Sequence, residues 1–252
     1  WLTETQIWKS IFRHAKPTND RNRVLVMLSN VFLHLHPVRI RKSGVKLRYT
    51  WCMGGMSFFL FLVLTFTGLL LMFYYRPTLE YAYTDIVGLR EHVPLGIMRE
   101  MHRWGAHLMV ITVWLHMFRV FMTGSYKPPR EFNWSVGVIM LVLTLLLSFT
   151  GYLLPWDQLA IWAITVGSNM ARATPFLGSE GPGAALLALG DIKLVHAGSD
   201  ARFALLGGTF VGEGALLRFY VLHCVGLPLV IAFLMAVHFW RVRKDGGISG
   251  PV

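Results

Sequence analysis

Charge is scarce in this chain: only 15% of its 252 residues are Asp, Glu, Lys or Arg, and the acidic ones number 13 against 24 basic. With 54% hydrophobic residues and a positive mean hydropathy, that scarcity excludes an ordinary soluble domain and a disordered tail alike. Cysteine is almost missing. Cys52 and Cys224 alone cannot organise a disulfide scaffold, and neither sits in a Cys-x-x-Cys-His haem-attachment signature or a zinc-type cluster. No internal repeat or low-complexity tract occurs. Nor does the start of the chain read as a cleavable signal peptide, because Lys9, Arg13 and Lys16 are mixed there with acidic and polar residues.

What the chain has instead is long apolar runs. Residues 52–75, 105–123, 134–155 and 218–240 are each close to the length of about 20 residues at which a helix crosses the hydrocarbon core. The expected fold class is all-α, an integral membrane four-helix bundle. A net charge of +11 could suggest nucleic acid, but the basic residues flank apolar spans and form no nucleic-acid-binding motif. Arg39, Arg41, Lys42, Lys46 and Arg48 precede span one, Lys127 and Arg130 separate spans two and three, and Arg241, Arg243 and Lys244 follow span four. If the spans alternate, these groups share a side, and the positive-inside rule puts both termini on the negative, cytoplasmic face. Arg76, Arg90, Arg99 and Arg103 fall near the opposite face and call for a local reason, which cofactor carboxylates would supply.

Two segments are expected. Residues 1–50 form a basic amphipathic lead-in, with Val24, Leu25, Met27, Leu28, Val31, Phe32 and Leu35 at near-helical spacing, suited to a helix lying on the membrane surface among lipid headgroups. Residues 51–252 form the four-span domain. Of its external loops, the one at 76–96 contains Pro77 and Pro94, and the one at 156–217 is too long to lack structure. Short helices are predicted there over Trp156–Ala171 and Gly183–Leu189.

Histidine spacing carries the chemistry. His102 and His116 in span two are fourteen residues apart, and His223 and His238 in span four are fifteen apart. At 100° per residue each interval returns to within about 40° or 60° of its starting direction, with a rise of roughly 21 Å, so each pair shares a helix face at two depths. Antiparallel packing then sets His102 opposite His223 and His116 opposite His238, two bis-histidine sites for two b haems. A lone membrane histidine is more often packing or part of a proton path; two matched pairs are not easily had by chance. His107 points away and reads as packing or a polar contact, and His34, His36 and His196 have no assignment. Gly54 and Gly68 in span one, and Gly137 and Gly151 in span three, repeat the fourteen-residue interval. They either serve helix packing or let a flat ring approach the backbone. Arg99, Arg103 and Arg119 flank the histidines, where guanidinium groups can pair with haem propionates or anchor the helix at the interface.

Across most of residues 45–252 the sequence resembles the cytochrome b/b6 family, more its short split form than its long mitochondrial one. The motifs are Cys52-Met53-Gly54-Gly55, Phe73-Tyr74-Tyr75-Arg76-Pro77, Met101-His102-Arg103-Trp104, Leu115-His116-Met117-Phe118-Arg119-Val120, Thr150 through Gln158 with Pro155-Trp156-Asp157, Arg218 through His223, and Ile248-Ser249-Gly250-Pro251. The resemblance implies a low-potential haem at His102 and His223 near the positive side and a high-potential haem at His116 and His238. It implies a third haem, of c type, attached covalently at Cys52, where physical reasoning alone would see a small packing residue, and it sets Arg243 near that haem's propionates. The neighbouring Asp245-Gly246-Gly247 carries one residue more than the family pattern.

The same resemblance implies bifurcated quinol oxidation, with one electron passed to a Rieske iron–sulfur protein and the other across the membrane towards quinone. Pro155, Trp156, Asp157 and the Pro175-Phe176-Leu177-Gly178 turn would form part of the quinol pocket, Asp157 being either a proton acceptor or a helix cap. The partners implied are a c-type cytochrome subunit, a separate C-terminal cytochrome b subunit carrying the remaining quinol-site motif, and a second copy in a dimeric complex, with a bacterial inner membrane as the setting. The segment from Gly178 to Arg218 is about twenty residues longer than in short relatives. Two other readings compete: a dihaem cytochrome b anchoring a dehydrogenase or hydrogenase, and a transporter without haem whose histidines carry protons.

Overall fold

The structure, a computed structural model, describes residues 17–29, 46–189 and 192–249 together with Thr5, Lys42 and Gly44. The fold is all-α. Among the described residues, four helices are long and apolar enough to cross a membrane: Met53–Met72, Val93–Met122, Glu131–Leu153 and Glu213–Lys244, hereafter spans one to four. Side chains such as Phe59, Phe66, Trp114, Leu229 and Phe233 point outward and are exposed, as lipid-facing positions require when backbone polar groups are satisfied within the helix.

The second span begins earlier than its hydropathy predicts. Pro94, expected in a loop, lies in the first turn of the helix, where a missing N–H costs nothing and the fixed φ favours the helix. The loop before it is also shorter, because Ala82–Glu91 is a helix of its own. Asp85 ties this helix to the end of span one, accepting from the Arg76 backbone N–H (2.9 Å), Nε (3.0 Å) and Nη2 (2.6 Å). The Arg76 guanidinium also lies 3.7 Å from the Tyr81 ring centre. These Arg76 hydrogen bonds hold the Asp85 carboxyl below the usual carboxylate range. A depressed folded pKa adds stability that is present above the unfolded value, about 4, and lost as pH falls through the depressed one. Amide exchange over residues 76–91, corrected for intrinsic rates, is therefore expected to quicken below about pH 4. In Asp85→Asn it should be fast at neutral pH and no longer respond to acid.

The chain divides into two compact units, 1–56 with 112–141 and 232–252, and 57–111 with 142–231. In the first, the turn after span two is pinned to the chain end: Ser125 and Ser249 share a hydroxyl hydrogen bond, Arg130 Nη2 donates to the Asp245 carbonyl (3.0 Å), and Arg241 pairs with Asp245 (3.0 Å). Gly246 and Gly247, both at positive φ, end span four there. In the second unit, Leu153, Ala160, Ile164, Leu206, Ala215 and Phe219 form a buried core. Tyr75, Ala82 and Leu216 form another, with Tyr75 donating to the Leu154 carbonyl (2.6 Å).

The long segment between spans three and four has the first expected helix, at Gln158–Arg172. Over 183–189 the structure departs from the expectation: a single 3-10 turn, Ala184–Leu186, leads into a two-residue antiparallel pairing of Ala188–Leu189 with Ile192–Lys193. Gly183 is at φ 85°, a left-handed conformation that starts a turn and not an α-helix. A further helix, Ala201–Leu206, is capped by the buried Asp200, which accepts from Phe203 N (2.8 Å) and from Ser179 Oγ (2.5 Å). Near the N-terminus, Asp20–Ser29 is helical, with Met27 buried and Leu25 and Leu28 exposed. Val31, Phe32, Leu35, His34, His36, Arg39, Arg41, Gly250 and Pro251 lie outside the described residues.

Candidate functional site: two histidine pairs

Within the second unit, span two brings His102 to His223 of span four, with ring centroids 6.2 Å apart and planes at 75°. Both Nδ1 atoms are engaged by neighbouring spans. Thr67 Oγ1 gives its own proton to the Val63 carbonyl (2.7 Å), so at 2.9 Å from His102 Nδ1 it accepts. Thr150 Oγ1 likewise donates to the Leu146 carbonyl (2.9 Å) and lies 3.1 Å from His223 Nδ1. The Leu147 carbonyl, which can only accept, is also 3.1 Å from that nitrogen. Both rings are thus Nδ1–H tautomers with an unprotonated Nε2. Neither threonine was singled out from the sequence. The signal was there, since Thr67 and Thr150 each precede a periodic glycine.

Within the first unit, His116 faces His238, with centroids 6.4 Å apart and planes at 77°. His238 Nδ1 is buried without a hydrogen-bond partner among the described residues. The corresponding positions before Gly54 and Gly137 are Met53 and Val136, which carry no hydroxyl.

An imidazole nitrogen at about 2 Å from a metal ion puts the ring centre about 3 Å from it, so two trans imidazoles have centroids about 6 Å apart. The 6.2 and 6.4 Å separations fit that geometry. The glycines make the close approach possible. A Cβ at Gly54 would meet His116 Cε1 at 3.2 Å, one at Gly68 His102 Cε1 at 3.1 Å, and one at Gly151 His223 Cε1 at 2.5 Å. What three of the four accommodate is therefore the edge of an imidazole. Gly137 differs: its Cβ would meet Met117 Sδ at 3.4 Å.

The unequal spacing on span four has a local cause. Leu222–Gly226 is a π turn, in which the Leu227 N–H reaches back to the Leu222 carbonyl. The next residue, Pro228, has no N–H to offer the Cys224 carbonyl, and the helix relaxes into the wider turn. One residue is absorbed there, so fifteen residues from His223 to His238 turn through the angle of about fourteen α-helical ones.

The arginines divide. Arg99 (2.8 Å) and Arg103 (2.6 Å) both pair with Glu100, an acceptor on their own helix. Arg119 is half-buried, with its Nε and Nη2 buried and lacking partners among the described residues, and its guanidinium lies 4.5 Å from the ring centre of Tyr49, whose hydroxyl is also unpartnered there. A guanidinium with two buried nitrogens unpartnered among the described residues, one turn from His116, suits an anionic group such as a propionate. Arg243 is half-buried at the end of span four. Cys52 has an exposed, free thiol immediately before span one. Trp51 and Cys52 are consecutive non-glycine residues at φ 51° and 52°, a sparsely populated conformation, and the Gly55 position leaves the sulfur room: a Cβ there would lie 3.0 Å from Sγ.

Asp157 is the N-cap of Gln158–Arg172, its Oδ1 accepting from Ala160 N at 2.8 Å. Trp156, at φ 51°, packs against both cores of the second unit, and Phe176 and Leu177 are exposed. His107 Nδ1 donates to the Arg103 carbonyl (2.8 Å), a polar contact within its own helix.

Residues 39–181 match the family model described as cytochrome b/b6/petB. Over 203 residues the chain is 41% identical to cytochrome b6 of Porphyra purpurea, covering 80% of this chain and 85% of that one. It is 36% identical over 235 residues to the menaquinol:cytochrome c reductase cytochrome b subunit of Bacillus subtilis (strain 168), covering 93% and 96%. A solved structure titled hyperthermophilic respiratory Complex III superposes with a TM-score of 0.66 at 28% identity, over 80% of this chain; the chain spans about half (49%) of that longer one. With its four spans and its paired histidines, the chain is an integral, multi-pass membrane protein that belongs to the cytochrome b/b6 family.

Proposed function

We propose that this chain is the cytochrome b subunit of a quinol-oxidising complex of the bc/b6f type, holding two b haems and, at Cys52, a covalent c-type haem. The observation that carries this reading is the pair of histidine couples, each at the separation of trans imidazoles on one ion. Haem iron supplies one-electron transfer, and the protein supplies spacing, burial and potential. His102 with His223, and His116 with His238, would each hold one haem through two imidazole nitrogens. Gly54, Gly68 and Gly151 keep the backbone clear of the rings. Arg119 and Tyr49 offer donors to a propionate, with Arg99, Arg103 and Arg243 as further cations. The four-span domain, residues 51–252, does this work.

Quinone and quinol are the substrates, and Pro155, Trp156 and Asp157 belong to the wall of the oxidation pocket. Asp157 acts there as a helix cap, because its carboxylate is already committed to Ala160 N. The partners are a Rieske iron–sulfur protein, a c-type cytochrome and a C-terminal cytochrome b subunit, in a dimeric complex of a bacterial inner membrane with both termini on the negative side. The relatives in cytochrome bc complexes support this over an anchor of a dehydrogenase or hydrogenase.

The deciding experiment is a denaturing gel stained for haem, run on the native chain and on Cys52→Ala beside a pyridine haemochrome spectrum. Covalent stain that vanishes in the variant, with b haem kept, is expected. Stain absent from the native chain would make Cys52 a packing residue and leave a two-haem subunit. No b-type bands would sink the whole reading.

A further inference from the structure

The two histidine pairs differ in what their second nitrogens meet. At His102 and His223 both Nδ1–H groups are accepted by threonine oxygens whose own protons are spent on backbone carbonyls. At His238 the equivalent nitrogen is buried and has no hydrogen-bond partner among the described residues. An acceptor on the remote N–H of an axial imidazole makes the metal-facing nitrogen more electron-rich, which favours the oxidised ion.

We propose that Thr67 and Thr150 are positioning residues that hold His102 and His223 in one tautomer and lower the reduction potential at that pair relative to the His116 and His238 pair. The inference rests on the reading that both pairs bind haem, and it assigns the potential difference to two hydroxyls on spans one and three. Both threonines have support, because the Leu147 carbonyl also accepts from His223 and the Leu64 backbone from His102. The double variant is therefore the decisive one.

The test is an anaerobic optical redox titration of the purified complex carrying Thr67→Val with Thr150→Val, compared with Thr67→Ser with Thr150→Ser. The b couple that disappears in His102→Leu identifies the pair being read. In the valine variant that couple is expected to favour its reduced form by threefold to tenfold at fixed ambient potential, roughly 30 to 60 mV upward at 59 mV per tenfold for one electron. The other b couple should stay in place, and the serine variant should match the parent. Loss of that haem in the valine variant with retention in the serine variant would equally support the hydroxyls as the holding groups. An unmoved couple, both couples moving together, or serine behaving as valine does would each overturn the proposal. If the parent complex shows no b-type bands, it is the haem reading that fails.

Discussion

His223→Leu is expected to leave the complex with about half its b haem, the remaining half still low-spin and six-coordinate. The substitution removes one imidazole of a pair and leaves His102 alone, and His107 on the same helix offers no substitute because it is turned into its own helix, bonded to the Arg103 carbonyl. The cost to the fold is small. Leucine suits the membrane interior, and the bonds lost are those from Nδ1 to Thr150 and to the Leu147 carbonyl, about 1 kcal/mol each. Thr150 keeps its bond to Leu146, so no buried hydroxyl is stranded. The protein should therefore assemble and fail specifically in electron transfer across the membrane. His238→Leu is expected to remove the other half. Haem content by pyridine haemochrome and the low-spin paramagnetic resonance lines check both; full haem in either variant would contradict the ligand assignment.

Gly151→Ala should mimic His223→Leu, although a methyl group on another helix is the only change. Its Cβ would lie 2.5 Å from His223 Cε1 and 3.1 Å from both ring nitrogens. The ring cannot withdraw without breaking its hydrogen bonds to Thr150 and Leu147. Overpacking of this kind costs about 1–3 kcal/mol, and relief by ring rotation would misdirect the axial nitrogen. Gly137→Ala is the control. There the new methyl meets the thioether of Met117 at 3.4 Å, an ordinary contact with a flexible side chain, and both haems should be kept. Gly54→Ala and Gly68→Ala, at 3.2 and 3.1 Å from imidazole carbons, should fall between. A parental haem spectrum in Gly151→Ala would show that the ring tolerates the shift.

These two sets of variants also separate what periodicity reveals from what it hides. All four glycines repeat at the same interval, yet only three stand against a histidine. Period places a residue on a helix face; it does not name the side chain opposite. Arg99 and Arg103 make the same point, since both were placed for carboxylates and the nearest one is Glu100 of their own helix. Beyond preceding a periodic glycine, Thr67 and Thr150 carry no signal in the sequence that sets them apart from packing residues, because a hydroxyl in a membrane helix usually bonds its own backbone, as these two do. Only the histidine across the interface gives the second lone pair a purpose.

By itself the sequence determined that the chain is an all-helical membrane protein of the cytochrome b/b6 family, and which helix faces its paired histidines occupy. Those properties depend on local quantities: the run of apolar residues needed to cross the bilayer and the 100° turn per residue. The tertiary structure decided the rest. It made Asp157 a cap, put Pro94 inside span two, absorbed the odd residue of span four in a π turn ahead of Pro228, and left two Arg119 nitrogens without a partner among the described residues while Arg99 and Arg103 found Glu100. Each of these turns on which backbone or side-chain hydrogen bonds and ion pairs are made or missed in the folded chain, which hydropathy and helix period alone do not specify.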